Sequence, residues 1–414
     1  MSRRAAIVLA VLAYAAAGFS QSGPAFRGSP DHPAIAYSTT RFADAVSILN
    51  GRLEAGAARL TYDPDSGYLQ SVLQALGVPK ESQIAVFSPT SLQAEKIHPQ
   101  NPRVVFFNDS VAVGWVRGGM IEVAAQDPRL GPVFYQLDQR PDVRPQFRRA
   151  DRDCLECHRS WETLAVPGLF VLTTFPAATK NGYATGGVTD QRTPLPGRWA
   201  GWYVTGRPGA NRHMGNKLVP TRADTSAPEV LDSLAGRFDL KGYPTPYSDI
   251  VALMVFEHQA HMTNLLTYIN WESRVAEADR RGNATVREAA RDLVDYMLFV
   301  DEAPLAGQIE GTSGFTQMFS AEGPRDARGR SLRQLDLQRR LMRYPCSFMI
   351  YSQAFDALPA AAKEAVYRRM WEILSGENQE PPYNRLSLDD RRAIVEILRE
   401  TKKGLPDYFE LVRN

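Results

Sequence analysis

Five residues near the middle of the chain, Cys154-Leu155-Glu156-Cys157-His158, constrain this sequence more than any other feature. Two thiols three positions apart on a helical turn reach the two vinyl groups of one porphyrin edge, and the next residue brings an imidazole beneath the iron. That spacing is the attachment signature of haem c. Two competing readings of the cysteine pair fit less well. A thioredoxin-like dithiol sits at the start of a helix that follows a strand in a βαβ unit, whereas the residues before this pair, Phe147 to Asp153, are charged and no parallel unit surrounds them. A zinc site needs a fourth ligand and usually a second close pair, and the only other cysteine is Cys346. The pentapeptide therefore leads to one covalently attached haem c, with His158 as the proximal iron ligand.

The beginning of the chain agrees with this. Arg3 and Arg4 precede an apolar run from Ala5 to Ala17 that ends in small residues, the pattern of a secretory signal over residues 1–20. The run is shorter than the roughly 20 apolar residues that a membrane span needs, so no integral membrane segment is expected after signal removal, and the location is periplasmic or secreted. Loss of the two arginines turns the formal charge of +2 into an even balance. A neutral chain has no global attraction for nucleic acid or an anionic membrane. Three cysteines in 414 residues cannot staple a secreted scaffold. Cys346 lies among apolar residues and reads as a small buried hydrophobe.

With 44% hydrophobic and 23% charged residues the chain is an ordinary globular one. From Thr40 to Gly77 apolar residues recur at helical spacing, and short β-favouring runs follow at 84–87, 104–107, 111–116, 120–125 and 133–137. Asn108-Asp109 and Gly118-Gly119 suit tight turns, so these runs form an antiparallel meander. The stretch from Arg140 to about Pro246 is rich in Gly, Pro, Arg and aromatics, with strands expected at 169–175 and 201–205; irregular chain of this kind wraps a cofactor. Beyond Ser248 helices are expected at about 249–280, 286–300, 332–343, 360–375 and 389–403. The Gly-rich stretch 302–329 reads as a lid or mobile loop. The fold class is α+β: a mixed helix and antiparallel β-rich region (21–140), an irregular haem-attachment segment (141–247) and a mainly α-helical C-terminal half (248–414).

The sixth iron position decides between electron carriage and small-molecule chemistry. Of the six histidines, His32 and His98 sit in polar, Pro-flanked sequence and read as surface residues. His213 lies in the loop Asn211-Arg212-His213-Met214-Gly215-Asn216, where flanking glycines permit close approach to a flat cofactor and Arg212 suits a haem propionate. His258 and His261 fall on one apolar stripe with Met254, Leu265 and Ile269, and a buried imidazole there needs a partner: iron, backbone or Glu257. His213 and His258 are the distal candidates, with Met214 and Met262 as lesser thioether candidates. Glu257-His258-Gln259-Ala260-His261 has neither the His-Glu-x-x-His order of zinc peptidases nor the Glu-x-x-His spacing of di-iron bundles.

Several stretches taken together resemble a family of exported bacterial cytochrome c-like proteins with a single CxxCH haem site: Val105-Phe106-Phe107-Asn108-Asp109, Cys154 to His158 followed by Val166-Pro167-Gly168, Gly201 to Gly206, Arg212 to Asn216, and Glu257-His258-Gln259. The resemblance spans nearly all of the mature chain and implies a haem without specifying a substrate. Ordinary small cytochromes c are helical domains of about 100 residues; here a β-rich region precedes the motif and a long helical half follows it.

The leading expectation is an electron-transfer protein that exchanges one electron with a redox partner. The alternative is a haem-dependent oxidoreductase, peroxidase-like, with an open distal iron site where His213, Arg212 or His258 assists cleavage of a small-molecule oxidant.

Overall fold

The computed structural model describes residues 25–175, 186–218 and 229–410; the segment read as a signal lies outside them. Helix α1 (Ala45–Glu54) starts where Asp44 accepts hydrogen bonds from the amides of Val46 and Ser47, and α2 (Leu69–Ala75) follows. Next come the strands β1 (Ile84–Val86), β2 (Arg103–Phe107), β3 (Val111–Trp115), β4 (Ile121–Asp127) and β5 (Gly131–Leu137), at the expected positions to within a residue or two. The Asn108 carboxamide accepts from the amides of Ser110 (3.0 Å) and Val111 (2.9 Å), which closes the β2–β3 turn. The two-residue β6 (Arg148–Arg149) pairs with β5 and leads into helix α3 (Asp151–His158), which carries the cysteines.

Strands β7 (Val171–Thr174) and β8 (Gly186–Thr189) form a separate hairpin, and β9 (Trp202–Tyr203) returns to pair with β1. The main sheet is antiparallel with the order β6-β5-β4-β3-β2-β1-β9. Both of its faces are covered, so its strands are buried almost continuously. One face, with Val104, Phe106, Val113, Trp115 and Tyr135, packs on α1 and α2. The other, with Ile84, Val86, Val105, Phe107 and Ala112, belongs to the core of the helical half.

That core is organised by helix α4 (Ile250–Ala278). Asp249 caps it by accepting from the amides of Val251 (2.8 Å) and Ala252 (3.1 Å). It is buried nearly all round, as a helix enclosed by a sheet and other helices must be. Helices α5 (Ala284–Met297), α6 (Phe315–Ala321), α7 (Gln353–Asp356), α8 (Ala360–Leu374) and α9 (Leu388–Thr401) complete the layer. The cluster runs from Phe26 to Phe409, tying the start of the described chain to its end. No helix among the described residues is long and apolar enough to cross a membrane.

Two expectations are corrected. Residues 332–343 do not form a helix. The Asp336 carboxylate accepts from the amides of Gln338 (3.0 Å) and Arg339 (2.8 Å), Leu337 adopts φ 59°, and Leu335 bridges Met342, so local side-chain bonding makes a hairpin-like turn. Its leucines still reach the core, which is why their spacing imitated a helix. The stretch 302–329 is not a structureless loop: it contains α6, whose Phe315 and Phe319 are buried, and its Thr312 and Ser313 amides bond the Asp249 carboxylate at 2.6 and 2.8 Å.

Candidate functional site

The edge of the sheet sets the position of α3. The amide of Ala150 donates to the carbonyl of Phe134 (2.9 Å), and the guanidinium of Arg149 bonds the carbonyls of Tyr37 (2.9 Å) and Ser38 (3.3 Å) while lying over the Phe42 ring. From this anchor the helix brings Cys154 and Cys157 onto neighbouring positions one turn apart. Both thiols are free; Cys154 is half-buried and Cys157 exposed. Burial, with help from the carboxylates of Glu122, Asp153 and Asp151, pushes the Cys154 thiol up to about 12, so it is protonated at neutral pH. Cys346 is buried elsewhere in the core.

His158, the last residue of α3, lies half-buried between two aromatic rings. Phe134 of β5 is 4.8 Å away centroid to centroid, and Phe170 is stacked at 5.2 Å. Its Nδ1 is 2.9 Å from the carbonyl oxygen of Gly168. A carbonyl only accepts, so Nδ1 carries a proton, and burial lowers the pKa below the ordinary histidine value. In the neutral ring Nε2 is a lone pair, and no described group is hydrogen-bonded to it. An imidazole in this tautomer is able to ligate a metal through Nε2, since a donating second nitrogen fixes tautomer and ring orientation.

The chain bends sharply to make that bond. After a single 3-10 turn, Trp161–Thr163, Leu164 and Ala165 both adopt left-handed conformations (φ 60° and 57°). The Gly168 amide then donates back to the carbonyl of His158 at 2.8 Å. Two successive non-glycine residues at positive φ store strain, and what they achieve is to bring the Gly168 carbonyl back to the imidazole. On α4, Asn264 holds the next residue: its Oδ1 accepts from the Leu169 amide (2.8 Å) and its Nδ2 donates to the Leu169 carbonyl (2.7 Å).

The remaining expected residues lie elsewhere. His258 is fully buried and uses both nitrogens, Nδ1 with Gln191 Oε1 (2.5 Å) and Nε2 with Ser347 Oγ (2.7 Å), while its ring stacks on Phe299 (4.6 Å) and Tyr296 (5.4 Å). To bind iron it would have to give up one of those bonds. His213 is buried with its ring 5.5 Å from Trp199, and its Nδ1 accepts from the Gly215 amide (3.1 Å). Met214 packs with Phe175 and Ala200, Met262 is in the main core, and Arg212 is exposed. His261 Nε2 lies 3.2 Å from the Arg192 guanidinium. No described contact joins His213 or His258 to His158.

Glu257 is committed to hydrogen bonds with the loop that packs on α4. Its buried carboxylate takes hydrogen bonds from Thr189 Oγ1 (2.7 Å), Trp199 Nε1 (2.9 Å) and Arg198 (2.9 Å), pinning the aromatic loop to α4. No group of three or more His, Cys, Asp or Glu residues poised to hold a metal ion occurs among the described residues.

Two further residues went unread in the sequence. Arg103 and Glu122 pair at 3.1 Å beside Gly114, and the charges of both act on Cys154 and His158. The available signal was a lone carboxylate between Ile121 and Val123 in an apolar strand. The cavity of 1220 Å³ near the β3–β4 turn, lined by residues such as Gln93, Arg117, Gly119 and Gln139, includes none of Cys154, Cys157 or His158. No protein-family model, curated protein or solved structure matches this chain.

Proposed function

We propose that this chain is an exported c-type cytochrome, holding one haem through thioether bonds to Cys154 and Cys157 and through His158 Nε2, and that it transfers single electrons. The observation that carries the reading is the state of His158: its Nδ1 proton is committed to the Gly168 carbonyl and no described group is hydrogen-bonded to its other nitrogen, on a helix that presents two free thiols. When bound, the haem supplies a one-electron iron couple. The chain does the rest. The Cys154 and Cys157 thiols would hold the haem as thioethers, each by addition of its S–H across one vinyl group, which would need no oxidant. Phe134 and Phe170 grip the imidazole and keep water from its faces. Arg103 and Glu122 set the local field.

The apolar run before residue 20 supports export, and haem is attached to such motifs outside the cytoplasm, so the periplasm or the exterior is the proposed location. The redox partner is a protein or a small-molecule oxidant. A second reading, a peroxidase-like oxidoreductase with an open distal site, gains from one observation: His258 already spends both ring nitrogens within the core.

The absorption spectrum of the reduced protein, produced in cells that attach haem c, separates these readings. Electron carriage predicts a low-spin six-coordinate form that does not react with carbon monoxide. The oxidoreductase predicts a high-spin form that binds it. A colourless protein refutes both.

A further inference from the structure

Helix α4 hydrogen-bonds the His158 loop through Asn264, and the contact is unusual in what it joins. The carbonyl of Gly168 and the amide of Leu169 belong to the same peptide unit. The carbonyl end takes the His158 Nδ1 proton (2.9 Å), and the amide end donates to Asn264 Oδ1 (2.8 Å). The chain of bonds therefore runs from the carboxamide through one peptide plane to the imidazole. Hydrogen bonds in series polarise one another: an acceptor on the amide hydrogen draws charge toward the carbonyl oxygen and makes it the stronger partner for Nδ1–H. The second amide bond, Asn264 Nδ2 to the Leu169 carbonyl (2.7 Å), keeps the carboxamide from rotating away.

The surroundings are built for this approach. A Cβ on Gly168 would run into the Asn264 side-chain oxygen and into Thr163, so glycine is what lets the carboxamide reach the peptide. Asn264 is 1% exposed, which removes water as a competing partner. It shares one helix face with Glu257 and His261, at spacings of 4 and 3 residues, and all three hold the segment that follows α3: Glu257 at Arg198 and Trp199, His261 at Arg192, Asn264 at Leu169.

We infer that Asn264 is a positioning residue for the axial imidazole, acting through the Gly168–Leu169 peptide to set how strongly His158 donates to iron. This rests on the haem reading above. A stronger Nδ1–H bond raises imidazole basicity and favours oxidised iron, so Asn264 holds the reduction potential down. Asn264→Leu removes the acceptor: the reduction potential rises, and at a fixed poise the reduced-to-oxidised ratio increases by about threefold, below the full effect of deleting a direct outer partner. Asn264→Asp keeps an acceptor on the Leu169 amide, neutral or charged, so its potential stays at or below that of the unaltered protein. A residue that merely supported the fold would move the potential the same way in both variants, and that result, or a Leu variant with an unchanged potential, overturns the inference.

A haem-free form, Cys154→Ala with Cys157→Ala, gives an independent reading. In it the nitrogen-15 resonances of His158 report the Nδ1–H tautomer, and adding Asn264→Leu weakens the Nδ1–H bond and shifts that resonance. If the tautomer signal is indifferent to residue 264, the relay is wrong even where haem is bound. If the signal responds but the unaltered protein carries no haem, the cofactor reading fails separately.

Discussion

Two imidazoles in this molecule make opposite use of the same chemistry. His258, in the middle of α4, is sealed in the core with a partner on each nitrogen and aromatic rings on its faces. His158, at the end of a short helix on the sheet edge, has the aromatic rings and, among the described residues, one hydrogen-bond partner, on a helix that also carries two thiols. A histidine with both nitrogens satisfied is a structural cross-link, joining the loop at Gln191 to the turn at Ser347. A histidine held through Nδ1 alone is the one the haem proposal assigns to iron. His258 is fully buried and His158 half-buried, and beyond that difference the number of ring nitrogens hydrogen-bonded among the described residues separates them.

Substituting each histidine in turn should break or sustain this contrast. His158→Ala has the largest effect: the iron loses its proximal nitrogen and the low-spin bands of the reduced spectrum collapse. Glu257→Ala comes next, as it strands the buried Arg198 guanidinium without its counter-charge; we expect a loss of about 3–5 kcal/mol in chemical denaturation. His258→Ala leaves Gln191 and Ser347 unpaired beside a cavity and costs about 2–4 kcal/mol, yet the iron spectrum stays as it was. A change of spin state in the His258 variant would place that residue at the iron and dissolve the distinction.

The smallest effect is on pH dependence. Burial depresses His258 from 6.5 to about 3, and His261 and His213 from 6.5 to about 4. Below pH 6.5 the unfolded chain takes up these protons while the folded one does not. Stability therefore falls as pH drops from 6.5 toward 4, and is unaffected by these groups above 6.5. Denaturation curves of the His258→Ala variant should show a shallower slope across that window; an unchanged slope would mean that His258 is protonated in the fold.

The long helix and the meander were legible because their signals are local. Asp249 precedes an apolar run of helical period, and Asn108 and Gly118 sit between β-favouring runs, so boundaries came out within a residue or two. The turn at Asp336 misled because a carboxylate bonding its own backbone competes with a helix that the leucine spacing otherwise favours. Helix α6 was missed because it is short and sits among glycines. At the site, the thiols and His158 could be read directly from their spacing. Asn264 could not, since its partner is the backbone of Leu169, 95 residues away, and nothing in an asparagine on a helix reveals that. His258 drew attention as a buried imidazole, and only the positions of Gln191 and Ser347 show how it is satisfied.

The central claim is a covalent bond between this chain and a haem at α3. Its most direct test is the intact mass, under denaturing conditions, of protein exported from cells competent to attach haem c, measured beside a Cys154→Ala, Cys157→Ala form. The account predicts that the unaltered chain exceeds its polypeptide mass by one haem and the double variant does not. Both chains at their own bare polypeptide masses would contradict it.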